Sequence, residues 1–444
     1  MKIEFVGQSM RDSDNIAANP SRLVNCYREG VGNGEHSLKS VLGMTDFAQI
    51  DGVFVRCMDE IEGKIYAAGG GAFYSLTSGG TLRNLGAIAD SEDASVAGNN
   101  GLVTLASGGK LYVLDDLTLY EPSYGAFSNI GSAEYIGNYT VVTERNGRRF
   151  GWCDIANPLV WPGLNFSTAD GRDDDLIRSV AINGSLYLLK EKSHEVWYIT
   201  GGAGAEAFSR ISGGVKDVGL KAFGLVCNFI GAAFMVGSDG RAHLVSGGAL
   251  QPVSTPTVET AIKTKTPVNC VSYEDEGHTF CAIVFRDCPA WVYDVATGEW
   301  HERAEGEDFS RWSAAVSAKL GEFWYVGRNS GEISRLERSN YDADLPLVRE
   351  ATSKTLEFDG KRPILRELEA FIRQGFTDGQ VGLFLSGDSG LTWGLEKAKP
   401  IGPVGEYARR VIWRNLGQFR RVTARLRWAD PADVNLGASL RVKL

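Results

Sequence analysis

Three groups of residues have types and spacings that could do chemistry. Asp170-Gly-Arg-Asp-Asp-Asp175 could offer oxygen ligands to a hard cation. It lacks the fixed loop spacing and the closing bidentate Glu of an EF-hand, so a solvated loop between structural units is expected. His278, Cys281 and Cys288 follow one another as H-x2-C-x6-C, a spacing that fits no zinc module, and the five histidines (His36, His194, His243, His278, His301) are scattered. Thiols and a histidine on a strand pair account for them. The densest charged feature is Arg409, Arg410, Arg414, Arg420, Arg421, Arg425 and Arg427. Such guanidinium forks can hold phosphates, pair with carboxylates of an adjoining protein, or stand as a solvated outer face. Trp413, Phe419 and Trp428 interleave too sparsely for a groove that stacks single-stranded bases. No Gly-x-Ser-x-Gly, P-loop or dinucleotide fingerprint occurs, and no catalytic, cofactor-binding or metal-binding residue is assigned. The seven arginines are the candidate protein interface.

Ser386-Gly-Asp388-Ser-Gly390-Leu-Thr392-Trp393 matches the Asp-box string S-x-D-x-G-x-T-W of sialidase propellers. In that setting it is a hairpin turn: Asp and Ser side chains hold backbone amides, Gly takes a positive φ and Trp packs beneath. It occurs once here and outside the repeats described next, so it reads as a fold stabiliser.

The elements that carry these residues are short strands. From about residue 50 to 340 a Gly-led turn precedes an apolar-aromatic run seven times, at Gly63, Gly109, Gly137, Gly184, Gly231, Gly277 and Gly321, with intervals of 46, 28, 47, 47, 46 and 44 residues. These lie mostly near the period of propeller blades. Helical periods of βαβ length are lacking, so a parallel α/β sheet is disfavoured. The expectation is all-β: a β-propeller over 49–344 with about seven blades, six or eight remaining open, then an antiparallel β-sandwich over 345–444. Residues 1–48 fall outside the repeat; strands at 23–27 and near 38–50 would close the last blade or reach a partner.

The sandwich is read from alternation. Val422, Ala424, Leu426 and Trp428 face one way and Arg421, Thr423, Arg425 and Arg427 the other, with further strands at 349–356, 367–373, 381–386 and 436–442. Residues 345–444 hold 17 Lys+Arg against 11 Asp+Glu, net +6, so residues 1–344 are −15 within the total of −9. An acidic body carries a basic end, a polarity that can set how subunits stack.

Composition limits the rest. With 43% apolar and 23% charged residues the chain buries a large core and is neither disordered nor coiled coil. Gly, 54 of 444, is well above its usual ~7% and signals many tight turns. Seven scattered Cys read as reduced thiols. The start lacks a basic region followed by an apolar one, so folding in a cytoplasm is expected. The most apolar window, 222–237, is too short to span a bilayer and reads as two strands around a turn. A net negative chain is not drawn to nucleic acid as a whole.

Three stretches together resemble the packaged-DNA stabilisation proteins that form the tail hub of short-tailed phages of the P22 type. They are Asn19-Pro-Ser-Arg-Leu-Val-Asn25-Cys-Tyr27 with Leu42-Gly-Met-Thr45; Asp175-Leu-Ile-Arg-Ser-Val-Ala with Gly184-Ser-Leu-Tyr and His194-Glu-Val-Trp-Tyr-Ile-Thr-Gly201; and Arg410-Val-Ile-Trp413-Arg-Asn-Leu-Gly417-Gln-Phe-Arg420-Arg421. The resemblance implies a virion tail protein in six copies, docked on the adaptor ring beneath the portal. There it would retain DNA passing through the lumen without sequence-specific binding, and carry the needle and fibres or spikes. It implies no enzyme, no cofactor and no membrane insertion. The other reading is a tail-associated carbohydrate-binding or hydrolysing propeller, which would need paired carboxylates or a Tyr nucleophile brought together in space.

Overall fold

The computed structural model describes residues 1–5, 21–32, 35–50, 54–90, 93–376, 378–429 and 435–444. Asn19 and Pro20, which open the first family-like stretch, lie outside them. Strands dominate, as expected; the described residues include one α-helix, Pro256–Thr264, which buries Val258 and Ile262.

Four-stranded antiparallel meanders follow one another over 55–87, 94–120, 130–168, 176–216, 226–252 and 267–303. A last unit joins 314–337 to the strand Gly43–Gln49, which pairs antiparallel with Glu332–Glu337 and so closes the ring with the chain's own N-terminal segment. The result is a β-propeller in which the first strand of every unit faces a central channel. Between first and second strands the turns are tight. Asn183-Gly184 and Glu276-Gly277 both have positive φ at the two central residues, the two-residue turn whose twist suits adjoining strands. Aromatic residues then lock neighbours: Phe234 of one unit meets Tyr293 and Trp300 of the next. The apolar window at 222–237 is the strand pair Val226–Phe229 and Ala232–Val236.

One turn of the expected repeat belongs elsewhere. Gly109 joins the second and third strands of its unit, Leu102–Ser107 and Lys110–Asp115, while the first hairpin there turns at Asn100-Gly101. Gly101 has no aromatic three residues on, whereas Gly109 has Tyr112, which is why the pattern selected the wrong turn. With Gly101 in the series the irregular 46 and 28 become 38 and 36.

The sandwich has two sheets over a single apolar cluster. One sheet orders Cys26–Gly32, Glu35–Ser40, Leu436–Lys443, Glu367–Ile372 and Val411–Arg414, with Lys2–Glu4 also on Leu436–Lys443. The other orders Arg22–Val24, Arg349–Thr352, Arg421–Trp428, Gln380–Ser386 and Lys397–Pro400. Val422, Ala424, Leu426 and Trp428 enter the core as their alternation demands, against Leu368, Trp413 and Leu440 of the facing sheet.

The second sheet continues from the propeller. Arg22–Val24 pairs in parallel with Trp300–Arg303, Val24 opposite Glu302, making one ten-stranded sheet across both domains. The strand expected at 23–27 is interrupted at Asn25, whose φ of 55° breaks the run. Its side-chain amide donates to the carbonyls of Ala304 and Val348 at 2.9 and 2.7 Å and its Oδ1 accepts from Ala304 N–H. Asn tolerates left-handed backbone better than most residues and satisfies the groups it exposes. Beside it, fully buried Arg303 grips Asp342 with both fork nitrogens at 2.7 and 2.5 Å. The N-terminal segment thus serves both domains: Gly43–Gln49 in the propeller, and Arg22–Val24, Cys26–Gly32 and Glu35–Ser40 in the sandwich.

Candidate protein interface

The seven arginines do not share one surface. Arg421, Arg425 and Arg427 alternate outward from Arg421–Trp428, on the sheet that runs on into the propeller; Arg410 and Arg414 bracket Val411–Arg414 in the other sheet. Arg409, Arg410, Arg414, Arg420 and Arg421 are exposed, whereas Arg425 and Arg427 are half-buried.

On the propeller side the half-buried pair converge on Glu350, which is 2% exposed. Nε of Arg425 lies 3.5 Å and Nε of Arg427 3.8 Å from its carboxylate, and Arg22 reaches it at 3.6 Å. Arg22 also makes a two-pronged pair with Glu302 at 2.9 and 2.7 Å. Burial opposes the charge on Arg22, but the two carboxylates outweigh it and hold its pKa above the ordinary guanidinium value. The guanidinium groups of Arg22 and Arg427 lie over Phe309 at 5.3 and 4.6 Å, and Arg427 donates to the Glu307 carbonyl at 2.9 Å. Arg425 stacks 3.8 Å over Trp393. Arginines read as an outward face therefore form part of the seam between domains.

On the opposite sheet Arg410 meets Glu369 at 2.6 Å and Arg414 meets Glu367 at 3.4 Å, with Arg441 and Lys443 on the same two carboxylates at 3.3 and 3.7 Å. The arginine side chains stay 60% and 66% exposed. The Arg410 hydrogen bond leads the causes that hold the Glu369 carboxyl below its usual range. Four cations over two carboxylates leave this face net positive and open to a partner. None of the carboxylates on either face was singled out in the sequence, although Glu367 and Glu369, two apart, carry the period-2 signal of a shared strand face.

The other motifs resolve into local architecture. In the Asp box Gly390 N–H donates to Ser386 Oγ at 2.8 Å, while Ser386 Oγ donates to Asp388 Oδ1 at 2.6 Å, Thr392 Oγ1 to Asp388 Oδ2 at 2.5 Å and Thr392 N–H to Asp388 Oδ1 at 2.9 Å; these last three donors, with Ser386 Oγ foremost, pull the Asp388 carboxyl down to about 2. Trp393 lies under Arg425 rather than in the core. The acidic loop disperses: Asp170 pairs with Arg210 at 2.8 Å, Asp173 with Arg148 at 2.7 Å, and Asp174 accepts from Ser193 Oγ at 2.8 Å. Buried Glu195 accepts from Gly171 N–H and Trp197 Nε1 at 2.7 and 3.1 Å, so the acidic-aromatic strand clamps that loop. His278 bonds Asp294 at 2.8 Å while Cys281 lies buried in its strand, so H-x2-C-x6-C does not converge. Among the described residues no group of three or more His, Cys, Asp or Glu could hold a metal ion.

The propeller channel is the second polar region, a cavity of about 760 Å³. Asp59 and Glu134 line it with part of their surface open to channel water and protein on their remaining sides. Loss of hydration is the largest influence on both and raises the carboxyl of Asp59 to about 6 and of Glu134 to about 7, with Arg178 opposing the shift.

Comparison with known proteins follows this two-part architecture. The family profile described as Bacteriophage P22 Gp10, beta-propeller, matches residues 2–340, and that described as Bacteriophage P22 Gp10, beta-sandwich, matches residues 349–443. No curated protein matches the chain. Solved structures with similar folds include YCF48 from Cyanidioschyzon merolae, with 10% identity, 67% of this chain and 99% of that one covered, and a TM-score of 0.45. The computationally designed Ika8 protein gives 11%, 66%, 99% and 0.40. PorZ of Porphyromonas gingivalis, a surface component of the type-IX secretion system, gives 11% and 0.42; this chain spans 44% of its length and has 72% of its own covered. These distant likenesses bear on no functional point. The two profiles, in sequence order over nearly the whole chain, show that it belongs to the bacteriophage P22 Gp10 family and is a phage structural protein.

Proposed function

We propose that this protein is the tail-hub subunit of a short-tailed phage. Six copies dock on the adaptor ring beneath the portal, retain the packaged DNA and present a platform for the needle and for fibres or spikes. The observation that carries the reading is the succession of the family's propeller and sandwich in one chain. The protein is made in the host cytoplasm and acts in the virion tail, without catalysis. Uniform subunits in a closed ring need two different complementary patches, and a −15 body with a +6 end supplies charge of both signs. Arg409, Arg410, Arg414, Arg420 and Arg421 are the contact residues of this proposal; Arg425 and Arg427 hold the sandwich in the orientation that presents them. An acidic propeller surface toward the conduit keeps DNA from sticking during ejection.

The test is to mix purified protein with portal–adaptor assemblies and image the product by electron microscopy. Six copies closing the distal end are expected. Folded protein that leaves an intact adaptor bare would overturn the reading.

A further inference from the structure

The first strands of all propeller units run in the same direction along the channel, so residues near their starts share one end of it. Arg56 is the second residue of Val55–Ile61, and Arg178 the third of Leu176–Ile182. Arg286 follows His278–Phe285, whose last residue lies opposite Pro267 at the start of the neighbouring strand, and Arg311 precedes Ala314–Leu320. All four line the cavity, contributed from different positions around the ring.

Their partners set them apart. Elsewhere in this acidic body arginines meet carboxylates, as Arg148 meets Asp173 at 2.7 Å, Arg172 meets Asp217 at 2.7 Å and Arg338 meets Asp275 at 2.8 Å. Among the described residues Arg178, Arg286 and Arg311 have no ion pair and no side-chain hydrogen bond; Arg178 has the ring of Phe223 beneath it at 5.0 Å and meets the charge of Asp59 and Glu134 only at longer range. The Nε atoms of Arg178 and Arg311 are buried without an acceptor. Burial is the largest influence on Arg311 and, helped by the like charge of Arg286, outweighs the carboxylates of Asp287 and Glu305 to hold its guanidinium below the usual value. Buried donors of this strength are costly when unmatched. Asp59 and Glu134 lie further along their strands, at the fifth position of each.

We infer that the arginine end of the propeller channel is a binding site for a multivalent oxyanion, with Arg286 and Arg311 at the mouth and Arg178 at the floor. The cavity is large enough for several phosphate or carboxylate groups, and guanidinium forks from separate units match several acceptor oxygens at once. The site is independent of the sandwich face assigned to docking.

Titration calorimetry and thermal melting of the full chain with inorganic tripolyphosphate, and separately with citrate, test this against sodium chloride of equal ionic strength. One saturable site per chain and a melting temperature that rises with ligand are expected, with affinity reduced about tenfold or more in Arg286→Gln/Arg311→Gln. Tripolyphosphate binding alone assigns a phosphate ligand and citrate binding alone a carboxylate one; both support the site. Absence of saturable binding to either probe, or equal affinity in the folded double variant, would overturn it. Should the double variant not fold, Arg286→Gln, at an exposed position, carries the same test through a weaker tripolyphosphate isotherm.

Discussion

The two sheets of the sandwich carry arginines placed by the same strand alternation, yet the two sets do different work. Toward the propeller, Arg22, Arg425 and Arg427 close on Glu350, a carboxylate 2% exposed, with their guanidinium groups over the rings of Phe309 and Trp393. On the far sheet Arg410 and Arg414 sit over Glu369 and Glu367 but remain mostly in water. Both Glu350 and Glu369 are buried, at 2% and 6% exposed, so the difference lies in the cations. A pair whose cations are half-buried fixes geometry and is expensive to break from one side; a pair whose cation stays in water contributes less and leaves it available. The contrast separates arginines that orient a domain from arginines that can meet another protein.

The largest expected effect comes from removing the shared carboxylate. Glu350→Ala removes the carboxylate that Arg22, Arg425 and Arg427 share, with Glu302 still on Arg22, and should destabilise the chain by about 3 kcal/mol, seen as a lower urea midpoint; the arginines' residual contact with water and Glu302 keep the cost at the low end for a buried pair. A shift no larger than that of Glu369→Ala would break the comparison. Trp393→Ala removes the surface under Arg425 and should cost about 1 kcal/mol, with weaker effect in an Arg425→Gln background if the two act together, as a double-mutant cycle would read. Arg410→Gln/Arg414→Gln should change stability by less than about 1 kcal/mol while abolishing ring assembly on the adaptor at moderate salt. Unchanged assembly would remove this face from the proposed interface.

Acidity sharpens the contrast further. Glu369 titrates below its ordinary range in the folded protein, so its contribution is present above the unfolded carboxyl pKa and lost as pH falls through the lower folded value. Glu369→Gln should flatten the loss of stability on acidification below about pH 4.3. Asp59 and Glu134 behave oppositely: with folded values raised to about 6 and about 7, their ionisation weakens the fold as pH rises from the ordinary carboxyl range through those values. Asp59→Asn/Glu134→Gln should raise the melting temperature at pH 8 relative to pH 5 by about 1–2 °C, a difference that thermal melts at both values would reveal.

Much of this architecture was legible. Gly-led turns and short apolar runs describe strands and hairpins because both are local, set by backbone freedom and side-chain alternation over a few residues. The same locality explains the errors. Tyr112 completes at Gly109 the pattern that Gly101 lacks, so the repeat read from glycines lands on the second hairpin of that unit, and the apolar neighbours of Asn25 hide a turn whose partners are Ala304 and Val348. The arginines stand out as a group but are not sorted by sequence, since Glu350 stands 77 positions before Arg427 and meets it only through strand register.

By itself, then, the sequence determined an all-β chain with an acidic repeat and a basic alternating end, and the residues that face the sandwich core. Tertiary structure decided which carboxylate opposes each arginine, which cations the channel gathers without partners, and how the N-terminal segment is shared between domains. Alternation has a period of two and says which side a residue faces. The identity of what lies across from it depends on pairing between distant strands, which no local pattern encodes.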